Sequence, residues 1–159
     1  MSDFQIHASR FTDLDPTTLY ALLKLRVDIF VVEQSCPYPE LDGRDTEPGS
    51  WHIWADADGV PLGYLRVLDD PDGVARIGRV CTAAAGRGRG VAGRLLECAL
   101  DEIGPRASRL DAQSHLAGFY GRYGYSPTGP EFLEDGIPHV PMARPTPAGT
   151  TASATAAPR

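Results

Sequence analysis

The chain has 159 residues, 42% of them hydrophobic and 23% charged, with a formal net charge of −6. A chain of this size and balance can bury a core of its own without disulfide or metal staples. Its three cysteines, Cys36, Cys81 and Cys98, have no CxxC spacing and suggest neither staple. The acidic balance argues against broad binding to nucleic acid or anionic membranes, and no Cys-His metal motif is present. The opening MSDFQIHASRF lacks a basic segment followed by an apolar run, and no long apolar stretch follows, so a soluble cytoplasmic protein is expected.

Residues 4–7 can form a first strand. Asp15 can cap a helix that takes Pro16 at its first position, and Leu19, Leu22, Leu23, Arg26 and Phe30 follow near-helical spacing, predicting a helix over 16–32. Residues 33–50 hold Pro37, Pro39, Gly43, Pro48 and Gly49 and read as a long loop, with Glu33, Glu40, Asp42, Asp45 and Glu47 against a single Arg44. Segments 51–55, 62–68 and 74–82 are strand candidates separated by Asp58-Gly59 and by Asp70-Pro71-Asp72-Gly73, turn signals that predict an antiparallel meander. Ala92, Leu95, Leu96, Ala99, Leu100 and Ile103 line one face of a helix over 89–103, which Gly104-Pro105 ends. A strand over 109–113, a helix over 115–123 closed by Gly124, and strands over 125–128 and 139–144 complete the pattern. That order predicts an α/β (α+β) fold: a mixed sheet with helices on its faces, in one domain over 1–144. Residues 145–159 carry no large apolar side chain and are expected to be a disordered tail.

The most informative segment is RIGRVCTAAAGRGRGVAGRLL, 76–96. A strand runs into a turn that opens a helix, and the turn holds Gly86, Gly88, Gly90 and Gly93. Glycine lets main chain approach a ligand, and the first N–H groups of a helix lack internal partners at the positive end of its dipole, a combination that suits phosphate oxygens. From Gly73 to Leu96 there are five arginines, Arg76, Arg79, Arg87, Arg89 and Arg94, and no acid, so the segment reads as the landing zone for a small polyanion. GxxxxGK[ST] is absent, which excludes a P-loop. Gly88-Arg89-Gly90-Val91-Ala92-Gly93 does match GxGxxG, with Asp111 about 20 residues on, and keeps a nicotinamide dinucleotide as an alternative; against it, three antiparallel-looking strands precede the turn.

Arg87-Gly88-Arg89-Gly90-Val91-Ala92 also fits [QR]-x-x-G-x-[GA], and here the sequence resembles the GNAT superfamily of acetyl-CoA-dependent N-acyltransferases. LRVDIFVVEQSCPYPELDG (25–43), IGRV (77–80), AQSHLAGFYGRYGY (112–125) and EDGIPHVPMAR (134–144) extend the likeness to its ElaA-like group. The resemblance implies a mostly antiparallel sheet splayed at a cofactor cleft, acetyl-CoA as cosubstrate, and an amine as acceptor. It implies that the backbone of Val80, Cys81 and Thr82 pairs with the pantetheine arm. Amides from Arg87 through Gly88, Arg89, Gly90, Val91, Ala92 and Gly93 would cradle the pyrophosphate, and a main-chain N–H around Val80 would stabilise the oxyanion.

Tyr120 matches the family tyrosine that hydrogen-bonds the CoA sulfur, and its phenol stays protonated at neutral pH. Glu33, at the end of the first helix, is the first candidate base, with His115 and His139 behind it. The acidic loop would steer a cationic amine, and Tyr38, Trp51 and Trp54 could wall its site. A non-catalytic CoA-binding module on the same scaffold, and an NAD(P)-dependent oxidoreductase, stay open as alternatives, as does the choice between monomer and homodimer.

Overall fold

The structure is a computed structural model and describes residues 3–146. The expected tail thus lies outside the described residues from 147 onward. The chain divides into two compact units, one running to Asp69 and resuming over Ile77–Glu102, the other comprising Asp70–Arg76 and the chain from Ile103.

In the first unit, β1 (Gln5–Arg10) pairs antiparallel with β2 (Trp51–Ala57), and β2 with β3 (Val60–Asp69) in the register Ile53↔Leu65 and Ala55↔Gly63. The β2–β3 turn uses Asp58 and Gly59 at φ of 51° and 79°, the left-handed pair that a tight hairpin requires. β3 is buried continuously from Leu62 to Leu68, so both of its faces are covered and the half-buried alternation of a surface strand is lost. The first helix, α1 (Pro16–Val27), starts as expected: the Asp15 carboxylate accepts the Thr18 N–H at 2.8 Å and Pro16 takes the first position. From Asp28 to Glu33 it winds on as a π-helical turn, so its extent matches the sequence pattern while its geometry does not. Leu22 and Ile29 pack with Tyr64 and Cys81 under Leu14, Leu25, Phe30 and Trp54.

β4 (Ala75–Thr82) leads through a 3-10 turn to α2 (Val91–Ile103), which buries Val91, Leu95, Leu96, Ala99 and Ile103 along one stripe. Each large apolar side chain on that stripe contributes about 1.5–3 kcal/mol on leaving water.

In the second unit, Ala75 and Arg76 pair in parallel with Ser108 and Arg109 of β5 (Ser108–Gln113). The antiparallel partner of β5 is β8 (Ile137–Arg144), which also takes β6 (Ser126–Pro127) and β7 (Phe132–Glu134). β7 and the two added residues at the start of β8 form a hairpin through Asp135-Gly136 that the sequence pattern did not indicate. The expected helix over 115–123 resolves into a 3-10 turn, Ser114–Leu116, and α3 (Ala117–Gly121). The strand order is β1-β2-β3-β4-β5-β8-β6 with β7 on β8, a mixed and mostly antiparallel sheet. Among the described residues no helix is long and apolar enough to cross a membrane.

Candidate active site

The glycine turn is built by close approach. A Cβ added at Gly63 would lie 2.6 Å from Val91 Cγ1, and one at Gly86 would lie 2.8 Å from the Leu62 carbonyl oxygen, so only glycine lets the turn and the start of α2 sit on β3 this tightly. Gly88 and Gly90 have φ of 75° and 78°, a conformation that disfavours any side chain, and the space where their Cβ atoms would project is open. Arg94 N–H donates to the Gly90 carbonyl at 3.2 Å, which leaves the N–H groups of Val91, Ala92 and Gly93 ahead of the helical ladder. The expected cradle of amides shortens by one at its start, because Arg87 N–H closes the 3-10 turn on the Ala84 carbonyl at 3.3 Å.

The arginines of this segment are not the uncompensated basic zone that local charge suggested. Arg87 Nη2 donates to both oxygens of Glu33, at 2.8 and 2.6 Å, while its Nε donates to the Thr82 carbonyl at 3.1 Å. Arg89 pairs with Asp3 and with the Ala85 carbonyl, and Arg94 lies over the Phe4 ring. Arg76 binds Asp70, and Arg79 binds Glu40. Glu33 is therefore the counter-ion of a turn arginine. Since the Arg87–Glu33 pair is half-exposed, it contributes little and can be exchanged for another anion at small cost.

β4 is distorted immediately before Val80. Arg79 has φ of 55°, a left-handed conformation inside a strand, of the kind that makes a β-bulge. The next buried side chain, Cys81, has its thiol pushed up to about 12 by burial, so it remains an uncharged core group and no nucleophile.

The acidic loop also departs from expectation. Three of its carboxylates face three arginines: Arg26 binds Glu40 at 2.8 Å and Asp45 at 2.6 Å, Arg66 binds Asp42 at 2.8 Å and Asp45 at 3.0 Å, and Arg79 binds Glu40 at 2.8 Å. Glu47 pairs with Arg44. Burial would raise the Asp42 carboxyl, but the Arg66 guanidinium outweighs it and holds Asp42 well below the usual range; Asp45 is lowered in the same way by Arg26 and Arg66. Carboxylates matched to internal guanidiniums project little field, so the expected steering of a cationic amine by this loop is corrected. The three aromatic wall candidates have other uses. Tyr38 donates its hydroxyl to Glu40 at 2.5 Å, Trp51 lies under Arg10, and Trp54 stacks on His7.

In the second unit, Tyr120 is buried against the edges of Phe119 and Tyr125, and burial raises its phenol above the usual range so that it keeps its proton. His115 is exposed in the 3-10 turn that precedes α3. His139 is buried, with Nδ1 at 2.7 Å from the Ile137 carbonyl, and stacks on Phe132. Among the described residues no group of three His, Cys, Asp or Glu side chains could hold a metal ion. Thus Glu33, Val80, Cys81, Thr82 and the whole turn through Gly93 belong to the first unit, and His115 and Tyr120 to the second.

A family model described as an acetyltransferase (GNAT) domain matches residues 27–145, three-quarters of the chain. The chain belongs to the GNAT family. It is 52% identical over 137 residues to the UPF0039 protein Rv2851c of Mycobacterium tuberculosis, covering 84% of this chain and 88% of that protein. Over 139 residues it is 38% identical to the protein ElaA of Escherichia coli, covering 84% and 91% respectively. The crystal structure of an acyl-CoA N-acyltransferase from Pseudomonas aeruginosa superposes with a TM-score of 0.85 at 42% identity, covering 89% of this chain and 99% of that one.

An acyl-CoA donor carries a diphosphate, and the residues here fit one. The GNAT turn offers glycines whose Cβ positions are open, main-chain N–H groups ahead of a helical ladder, and two arginines held by exposed, exchangeable partners.

Proposed function

We propose that the protein is a cytoplasmic N-acyltransferase that passes an acetyl group from acetyl-CoA to an amine by direct attack in a ternary complex. The observation that carries this reading is the open glycine turn at the head of α2 in a chain of the GNAT family. Amides of Gly88, Arg89, Gly90, Val91, Ala92 and Gly93 meet the pyrophosphate, and Arg87 and Arg89 exchange Glu33 and Asp3 for its oxygens. The main chain of Val80, Cys81 and Thr82 lines the pantetheine arm, and the Val80 N–H donates to the acyl oxygen as charge develops on it.

In the transfer, a bond forms between the amine nitrogen and the acyl carbon, and the carbon–sulfur bond breaks. Tyr120 supplies the proton that the departing sulfur requires, since burial keeps its phenol protonated and so able to donate. The proton lost by the amine passes to a base. Glu33, released as the pyrophosphate takes Arg87, is the first residue we assign to that task, with the exposed His115 behind it and His139 bound through Nδ1 to a backbone carbonyl.

An acetyl-CoA thiol-release screen against amino acids, polyamines, aminoglycosides and peptides tests the proposal. Release with one amine class, and intersecting initial-velocity patterns, are expected. Coenzyme A binding without release across the whole panel would instead leave a non-catalytic CoA-binding module, and no binding at millimolar concentration would end the CoA reading altogether.

A further inference from the structure

We propose that Glu40 is a positioning residue: it holds the backbone of Arg79 in its left-handed conformation and so aims the following Val80 N–H at the acyl oxygen of the donor. This rests on the acyl-transfer reading above and assigns that reading a residue from outside the glycine turn.

The peptide that joins Arg79 to Val80 carries the Val80 N–H, and its plane is set largely by ψ of Arg79. Moving from strand to left-handed geometry changes φ from about −140° to about +57° and ψ from about +135° to about +47°, and so turns that peptide away from its strand direction. The N–H is thereby rotated out of the direction that an undistorted strand would give it. Arginine has no local preference for this conformation, since its Cβ crowds the carbonyl that follows. Something beyond the strand must hold it.

Glu40 does so with two groups at once. Its Oε2 accepts from Arg79 Nε at 2.8 Å, and its main-chain carbonyl accepts from Arg79 Nη2 at 3.0 Å. Two acceptors on one residue fix the guanidinium in direction as well as in place. Glu40 is itself immobilised: Arg26 Nε donates to Oε2 at 2.8 Å, Tyr38 donates to Oε1 at 2.5 Å, and the side chain is only 2% exposed. Arg26, fully buried, is anchored in turn by Asp45 at 2.6 Å. The chain of contacts therefore runs from a rigid buried ion pair to the strand residue next to the proposed donor, all within one compact unit.

The test separates backbone geometry from charge. Glycine accepts positive φ and valine resists it, so Arg79→Gly and Arg79→Val remove the same guanidinium but differ in the conformation they allow. These two, Glu40→Gln and the double variant Glu40→Gln/Arg79→Gly are compared in kcat and KM for acetyl-CoA, with calorimetric affinity for coenzyme A and melting temperature alongside. Arg79→Val is expected to lose roughly 10-fold or more in kcat, while Arg79→Gly loses about 2- to 3-fold, coenzyme A affinity staying within about 2-fold in both. Glu40→Gln is expected to lower kcat about 10-fold beside Arg79 but less than about 2-fold beside Gly at that position.

A merely structural role would lower the melting temperature without this split between kcat and affinity, and without the dependence on residue 79. If Glu40→Gln does not fold, the glycine and valine variants alone decide the matter. Equal kcat for those two, or an equal loss from Glu40→Gln in both backgrounds, overturns the inference while leaving acyl transfer intact. A wild-type protein that neither binds coenzyme A nor releases thiol overturns both.

Discussion

Gly63→Ala moves the glycine turn without touching it. The added Cβ would lie 2.6 Å from Val91 Cγ1, 3.1 Å from the Cys81 carbonyl oxygen and 3.2 Å from Leu95 Cδ1. Carbon atoms prefer about 3.5–4.0 Å, so the first turn of α2 must retreat by roughly 1 Å or its side chains must leave their rotamers. Overpacking of this kind costs about 1–3 kcal/mol. A loss of ~2 kcal/mol in a chain of this length lowers Tm by about 4–8 °C. The functional consequence is larger than the structural one, because Val91, Ala92 and Gly93 carry the N–H groups ahead of the helical ladder. Their displacement is expected to weaken coenzyme A binding about 10-fold, read by calorimetry next to scanning calorimetry of the free protein. Gly118→Ala is the control for stability: its Cβ meets nothing within 4 Å, and it lies in α3, where alanine gains about 1 kcal/mol over glycine. A Gly63→Ala protein with wild-type Tm and wild-type affinity would refute the argument that this strand glycine seats the helix.

Three further outcomes are expected. Arg87→Gln should weaken coenzyme A about 10-fold through loss of a charge-assisted contact, whereas Glu33→Gln, by releasing Arg87 from its exposed partner, should tighten it a few-fold at low salt and leave Tm within about 1 °C; calorimetry at two salt concentrations reads both. Asp42 titrates below its ordinary value in the folded state, so the stability it contributes is complete above the unfolded value of about 3.9 and is lost as pH falls through and below it; denaturant midpoints should drop from pH 5 to pH 3, less steeply in Asp42→Asn, and equal slopes would count against the Arg66 pairing. Tyr120→Phe should lower kcat by about 10-fold to 10⁴-fold with coenzyme A affinity retained, and because burial holds the phenol above its usual range, kcat of the wild type should show no alkaline limb from this group below pH 10.

Much of the fold is written in local patterns. The apolar stripe from Ala92 to Ile103, the Asp15 cap with Pro16, and the Asp58-Gly59 hairpin each depend on residues a few positions apart, and each stands where the sequence puts it. The glycine turn is legible for the same reason. The ion-pair cluster is not, because Arg26, Arg66 and Arg79 meet Glu40, Asp42 and Asp45 across 14 to 39 residues, and nothing local signals such pairing. Local charge carries no trace of these partners, so in the sequence the loop reads as free to steer an amine and the turn as bare of anions. Arg79 shows the limit most clearly: its left-handed backbone is imposed by partners in another element, so no local preference of arginine could announce it. The same holds for Glu33, whose partner Arg87 lies 54 residues further along the chain.

The proposed function stands on main-chain nitrogens at the head of α2 binding the diphosphate of an acyl-CoA. Titrating coenzyme A into isotope-labelled protein and following backbone amide resonances tests it directly. The largest shifts should fall on Gly88 through Gly93 and diminish as salt is raised. Saturable binding that leaves those amides unmoved, or no shift at millimolar coenzyme A, would contradict it.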